Sequence, residues 1–184
     1  MQKGIYNKKD LAKYITLLYE KKYNKKISSI KFQKSIYFLF AYWGGFNKKL
    51  NQEIKNENEE GEIIKKDNIY LFSNPKFQAR QFGPVEKEIF EEYKEYMKVS
   101  KNKLNENIKD EFSLYSKKMN ENNESKNFID DFLLNNIFDI SDFSLVNWSH
   151  KDNSWIEAWN LEDKNSKEIL SENIIEEYFK REEY

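Results

Sequence analysis

The eight residues Ile36 to Trp43 (Ile-Tyr-Phe-Leu-Phe-Ala-Tyr-Trp) form the longest uninterrupted apolar run in the chain. They close a segment, about Ile30 to Trp43, that begins amphipathic and ends apolar on every side. A helix without a polar face must be covered all round, so this one predicts a central, buried element. Eight residues fall far short of the roughly 20 that a membrane helix needs, so the expected cover is protein. Ser28 or Ser29 can cap its start. Gly44-Gly45 is expected to end it, because glycine readily takes the left-handed conformation at a helix C-terminus.

The cover is mostly aromatic. Hydrophobic residues make up a lean 39% of the 184, but 30 of them are Phe, Tyr or Trp. Each ring buries on the order of 150–250 Å², so few apolar positions suffice for a core. A chain of this length forms one domain, 1–184, with no internal repeat. Basic and acidic residues nearly cancel, 31 against 32, so overall charge points to neither nucleic acid nor membrane. Locally the balance shifts. Residues 1–34 hold ten lysines against Asp10 and Glu20, while 171–184 hold five glutamates against Lys180 and Arg181. This basic N-terminal stretch could meet a phosphate backbone or an acidic partner. Lysine is the weaker bidentate reader, however, and nucleic acid is not favoured. The absence of cysteine excludes a disulfide framework and fits a reducing cytoplasm. No signal-peptide pattern is visible, and the expected location is cytoplasmic.

Periodicity predicts a mainly α fold. A first helix spans about Lys8 to Tyr23, with Leu11, Ile15, Leu18 and Tyr19 on one face. Residues 47–68 and 98–127 are polar and read as loop insertions; the second is weakly periodic and reads alternatively as one long amphipathic helix with ragged ends, with a linker at Asn120–Lys126. A small two- or three-stranded β element is expected around residues 69–81, from Ile69–Phe72 and Phe77–Arg80, with a turn at Asn74-Pro75. Pro84 is expected to open a third helix carrying Val85, Ile89, Tyr93 and Met97 at spacing four. Further helices are expected over Phe128–Phe138, over Asp142–His150 capped by Ser141, from a Ser154/Glu157 capping box, and after Ser171.

Scarce residues gather at 80–84. It has five glycines, two prolines and two arginines, and Arg80, Gly83 and Pro84 stand together. Gly83 before Pro84 allows a sharp turn. No constellation assembles a catalytic or metal site by spacing. His150 is the only histidine, which removes His-His metal motifs and most histidine relays. Beside Trp148 and Trp155 it reads first as a structural hydrogen-bonding residue.

Four blocks share an order with a known family. Ile30-Lys31-Phe32-Gln33-Lys34-Ser35-Ile36-Tyr37-Phe38 is similar to its second helix. Phe77-x-Ala79-x-x-Phe82-Gly83-Pro84-Val85 resembles its Phe-x-Ala-x-x-Tyr-Gly-Pro-Val stretch. Leu145 to His150, followed by Ser154-Trp155 and Ala158, resembles its Leu-x-x-(Leu/Trp)-(Thr/Ser)-His … Pro-Trp … Ala segment, and Ile174-Ile175-x-x-Tyr178-Phe179 its last helix. The ordered set resembles the Panacea domain, the SocA-like and GepA-like antitoxin group. That resemblance implies a compact, mostly helical fold with a little β-structure and no cofactor; the lack of cysteine and the single histidine weigh against an enzyme. The resemblance also implies neutralisation of a toxin by direct binding, or delivery of it to a protease as an adaptor.

The leading expectation is thus a binding module with a protein partner, a cognate toxin or a host defence protein. The alternative is a phage or mobile-element anti-defence protein that blocks an RNA-guided nuclease or its guide RNA. A carboxylate-metal nuclease or hydrolase stands third. Candidate contact residues are Arg80, Gln81 and Phe82, with Lys31 and Lys34 on the exposed side of the second helix and Trp148, His150 and Trp155 nearby. Core packing is the expected role of Phe82, Trp148 and Trp155, while Arg80 and His150 stand between contact and structure. Gln33, Tyr37, Gly83 and Pro84 are assigned to the structural motif.

Overall fold

A computed structural model describes residues 3–57, 69–99, 107–161 and 167–181. Their order is α1 (Lys8–Tyr23), α2 (Ser29–Glu57), β1 (Phe77–Arg80), β2 (Gly83–Glu86), α3 (Lys87–Val99), α4 (Ile108–Met119) and α5 (Asn123–Phe132). A π-helical turn (Leu133–Ile137), α6 (Asp142–Ser149), α7 (Asn153–Asn160), β3 (Glu168–Ile169) and α8 (Ser171–Phe179) follow. The fold is mainly helical, with one small antiparallel sheet in the order β2-β1-β3.

α2 is the axis, and every residue from Lys31 to Ala41 is buried. Its cover comes from α1, α6, α8, the π-turn and β2. Aromatic edges and faces fill the spaces: Tyr37 meets Phe77 edge-on at 5.7 Å, and Phe40 lies 5.1 Å from Phe77. The expected stop at Gly44-Gly45 does not occur, and α2 runs on to Glu57. The expected loop at 47–68 is therefore helical through residue 57, and its remainder lies outside the described residues. Gly44 has another task. A Cβ placed there would stand 2.5 Å from Ile175 Cγ1, so the missing side chain lets α8 close onto α2.

The β element lies differently from expectation. Ile69–Phe72 is not a strand but makes a single parallel bridge, Tyr6 to Phe72, with Tyr6 N–H donating to Leu71 O at 3.0 Å. The pairing cannot extend. Asn7 leaves to cap α1, its Oδ1 accepting from Lys9 N–H at 2.9 Å, and Asn74 turns the other segment away with φ at 50°. The sheet instead unites β1 with β2 and with the distant β3. Pro84 sits in edge strand β2, where a missing N–H is tolerated, and does not open α3. Glu86 opens that helix by accepting the Ile89 N–H at 2.8 Å.

Within 98–127, α4 and the start of α5 replace the expected loop, and residues 100–106 lie outside the described set. Ser141 caps α6 as expected, accepting from Ser144 N–H at 3.0 Å. The α7 capping box does not form. Glu177 of α8 accepts the Asn153 and Ser154 N–H groups instead, at 2.7 and 3.0 Å. Ser171 is the first residue of α8 rather than its cap.

Gly44→Ala should lower stability by about 1–2 kcal/mol in urea denaturation, because overpacking against Ile175 outweighs the helix propensity that Ala gains.

Candidate protein-interaction site

β1 and β2 form a hairpin in which Arg80 pairs with Gly83. The loop is Gln81-Phe82, and neither residue has a positive φ. Gly83 takes the left-handed conformation instead, with φ at 90°, as glycine does in a bulged hairpin turn. It is also pressed into the body of the protein. A Cβ at Gly83 would lie 2.3 Å from Ser149 Oγ and 2.4 Å from Lys34 Nζ.

Four groups clamp the hairpin from below and behind. Lys34 Nζ donates to Pro84 O at 2.9 Å, and Glu86 N–H donates to Gln33 Oε1 at 3.1 Å. Trp155 Nε1 donates to Arg80 O at 3.1 Å, and Ala79 N–H to Lys167 O at 2.7 Å. Glu86 is fully buried and anchors the outer end. Its carboxylate takes the Lys8 ammonium at 2.9 Å and the Lys76 N–H at 3.0 Å besides capping α3. Behind Arg80 runs a flat stack: His150 on Trp155 at 4.0 Å, Trp155 on Trp159 at 5.6 Å, and Lys167 over Trp159 at 3.6 Å.

The tip itself stays free. Gln81 is exposed and Phe82 is 56% exposed. The half-buried Arg80 guanidinium reaches Gln78 Oε1 at 3.2 Å and lies 5.0 Å from the Phe90 ring centre. The expectation of core packing thus fails for Phe82, because the two-residue loop projects its second side chain outward. It fails for Trp148 too, 43% exposed, and holds for Trp155.

Lys31 and Lys34 are not on an exposed side of α2. Both are buried, because the hairpin and the segment after the π-turn cover that face. Lys31 Nζ donates to Phe138 O at 2.9 Å and to Ile140 O. Burial pulls the Lys34 ammonium down from 10.5 to about 7, with the Asp152 charge partly opposing. Burial and the Lys34 charge also lower the His150 imidazole, against a hydrogen bond with the Gln81 backbone.

Of the sequence-selected residues, Gln33, Lys34, Tyr37, Gly83, Pro84, His150 and Trp155 belong to this cluster, with Arg80, Gln81 and Phe82 at its tip. Lys31 lies apart, and Trp148 lines a cleft that shares no residue with the hairpin. Asp152 was missed. Its buried carboxylate accepts from Tyr37 and Tyr178 hydroxyls at 2.5 and 2.9 Å and from Arg181 at 2.6 Å. Burial raises its pKa, while Tyr37 and Arg181 pull it back. Locally Asp152 looks like an ordinary helix cap. Arg181, as the only arginine besides Arg80, could have been found by the same rarity that marks Arg80.

The lysines of residues 1–34 do not make a free basic face. Lys8, Lys9, Lys13, Lys22 and Lys26 pair with Glu86, Glu92, Glu111, Asp139 and Glu20. Among the described residues, no group of three His, Cys, Asp or Glu side chains could hold a metal ion, and no helix is long and apolar enough to cross a membrane.

Residues 67–156 match the family model of the antitoxin SocA-like Panacea domain. The matched Panacea segment contains the whole hairpin, Asp152 and the His150–Trp155 stack. The α2 residues that clamp it, and α8, lie outside the match. No curated protein and no solved structure matches the chain.

Lys34 gives the fold a distinctive pH response. Unfolded, its amine keeps a proton through pH 9; folded, it gives that proton up near pH 7. Unfolding therefore takes up a proton between those values, and stability rises with pH, by about 2 kcal/mol from pH 7 to 9. Lys34→Met should flatten this rise in urea denaturation at the two pH values. The His150 shift acts below 6.5 and leaves that window clear.

Proposed function

We propose that this protein is an antitoxin-type module that neutralises a partner toxin by direct binding, with the Arg80-Gln81-Phe82 tip as a contact element. The Panacea match supports the class of function. The observation that carries the contact is an exposed Phe82 on a hairpin whose backbone is held at Arg80, Pro84 and Glu86. A pre-ordered loop loses little conformational entropy on docking, so more of its contact energy reaches the affinity. Aromatic and arginine side chains are the types that most often dominate interfaces. Lys34, Gly83, Ser149 and Trp155 act as positioning residues, and His150 stiffens Trp155 from one face. Neutralisation by occupying the toxin surface requires no catalytic group.

Co-expression with the adjacent gene, scored by growth rescue and co-purification, tests this reading. Phe82→Ala and Arg80→Ala should each weaken the complex about tenfold or more. Melting temperature should barely change for Phe82→Ala. For Arg80→Ala the loss of the Phe90 contact costs about 0.5–1 kcal/mol. Full rescue by the double variant would rule the tip out as a contact.

A further inference from the structure

Where α5 meets the π-turn, the Phe138 N–H reaches back five residues to Leu133 O at 2.9 Å. Such wide turns are frequent at functional sites, because the extra residue shifts side chains off regular helical spacing. Here the turn contributes Asn136 and Ile137 to a cleft of about 660 Å³. Phe128 and Phe132, stacked at 5.5 Å, line it from α5, and Phe38 and Tyr42 line it from α2. Phe46 and Trp148 line it too, each 43% exposed. An exposed Trp148 beside the half-buried Phe128 and Phe132 around one concavity marks a binding surface.

The charges in the cleft do not balance. Asp152 is consumed by Arg181, Tyr37 and Tyr178. Glu177, which also touches Arg181 at 3.4 Å, is committed to the α7 N-terminus. Lys151 is exposed, lines the cleft, and makes no ion pair among the described residues. Asn136 is likewise exposed and offers an amide that can meet peptide backbone.

We propose that this cleft receives an apolar segment of the protein partner, two large aliphatic or aromatic side chains with a carboxylate beside them. The proposal rests on the reading of the chain as a toxin-binding protein and adds a second anchor to the hairpin tip. A volume of about 660 Å³ exceeds what one side chain fills, and the carboxylate answers Lys151. Apolar anchors in a desolvated pocket supply affinity, and the charge pair supplies orientation and salt dependence.

Calorimetric titration of the adjacent gene's product against the wild type and the Trp148→Ala, Lys151→Glu, Lys151→Arg and Phe82→Ala variants tests it, with melting and light scattering alongside. Trp148→Ala should weaken binding about 30-fold. Lys151→Glu should weaken it about tenfold and reduce its salt sensitivity, while Lys151→Arg binds as wild type. Melting temperatures should not move for the Lys151 variants, whose side chain is on the surface. If the cleft variants bind as wild type while Phe82→Ala does not, the cleft proposal falls and the antitoxin reading stands. If the wild type forms no complex, both fall. If the cleft variants change self-association rather than partner binding, the occupant is a second copy of the chain and the proposal is overturned.

Discussion

A helix buried on all sides has to find a partner for every polar group it carries, because an unmet one costs several kcal/mol in an apolar interior. α2 carries Lys31, Gln33, Lys34 and Tyr37 within seven residues, and each is tied to a different part of the chain, with Gln33 Nε2 the one buried atom among them left without a partner. Lys31 takes carbonyls beyond the π-turn, Gln33 the Glu86 amide, Lys34 the Pro84 carbonyl and Tyr37 the Asp152 carboxylate. These four bonds decide where the hairpin, the π-turn and the start of α7 lie against the axis. The aromatic core supplies the driving force. The polar residues on its most buried element supply the register.

Gly83 and Gly44 show the same economy from the opposite side. At Gly83 the missing side chain makes room for Lys34 Nζ and Ser149 Oγ while the backbone turns with a positive φ. At Gly44 it lets Ile175 approach α2. The hairpin is thereby held from its base nearly to its tip, and only Gln81 and Phe82 are left to solvent. The α7 N-terminus is tied down in a related way. Asp152 stands where a helix cap belongs but gives its carboxylate to the core, so Glu177 from α8 supplies the cap. α7 and α8 consequently depend on each other, with Arg181 linking both carboxylates.

Local signals were legible where the physics is local. α1 spans the predicted residues because its apolar face is a local pattern, and each end is closed by a neighbour within a few positions: Asn7 accepts from Lys9 N–H, and Asn24, left-handed with φ at 50°, donates to Glu20 O. Ser141 announced α6 for the same reason. Phe77–Arg80 was legible as extended chain, yet its partners were not: β3 lies about 90 residues away and is two residues long. The Gly44-Gly45 pair and Pro84 were misread for one shared reason. Each is normally interpreted through its own backbone preference, whereas here a neighbour distant in sequence decides: Ile175 for Gly44 and Lys34 for Pro84. Lys31 and Lys34 were misplaced because lysine on a helix ordinarily marks the wet face, and only the covering elements reveal otherwise.

What the sequence determined by itself was a helical domain around one fully apolar helix, with a special backbone at Gly83 and a family-like order of motifs. Those follow from periodicity, composition and residue chemistry, which act over short stretches. The tertiary structure alone decided which of the selected residues face outward and which hold the fold. Exposure is a property of the neighbours that cover a side chain, and here those neighbours come from opposite ends of the chain. Phe82 and Trp148 are surface, Lys34 and Trp155 are interior, and Asp152 and Glu86 are the buried carboxylates that bind the ends together.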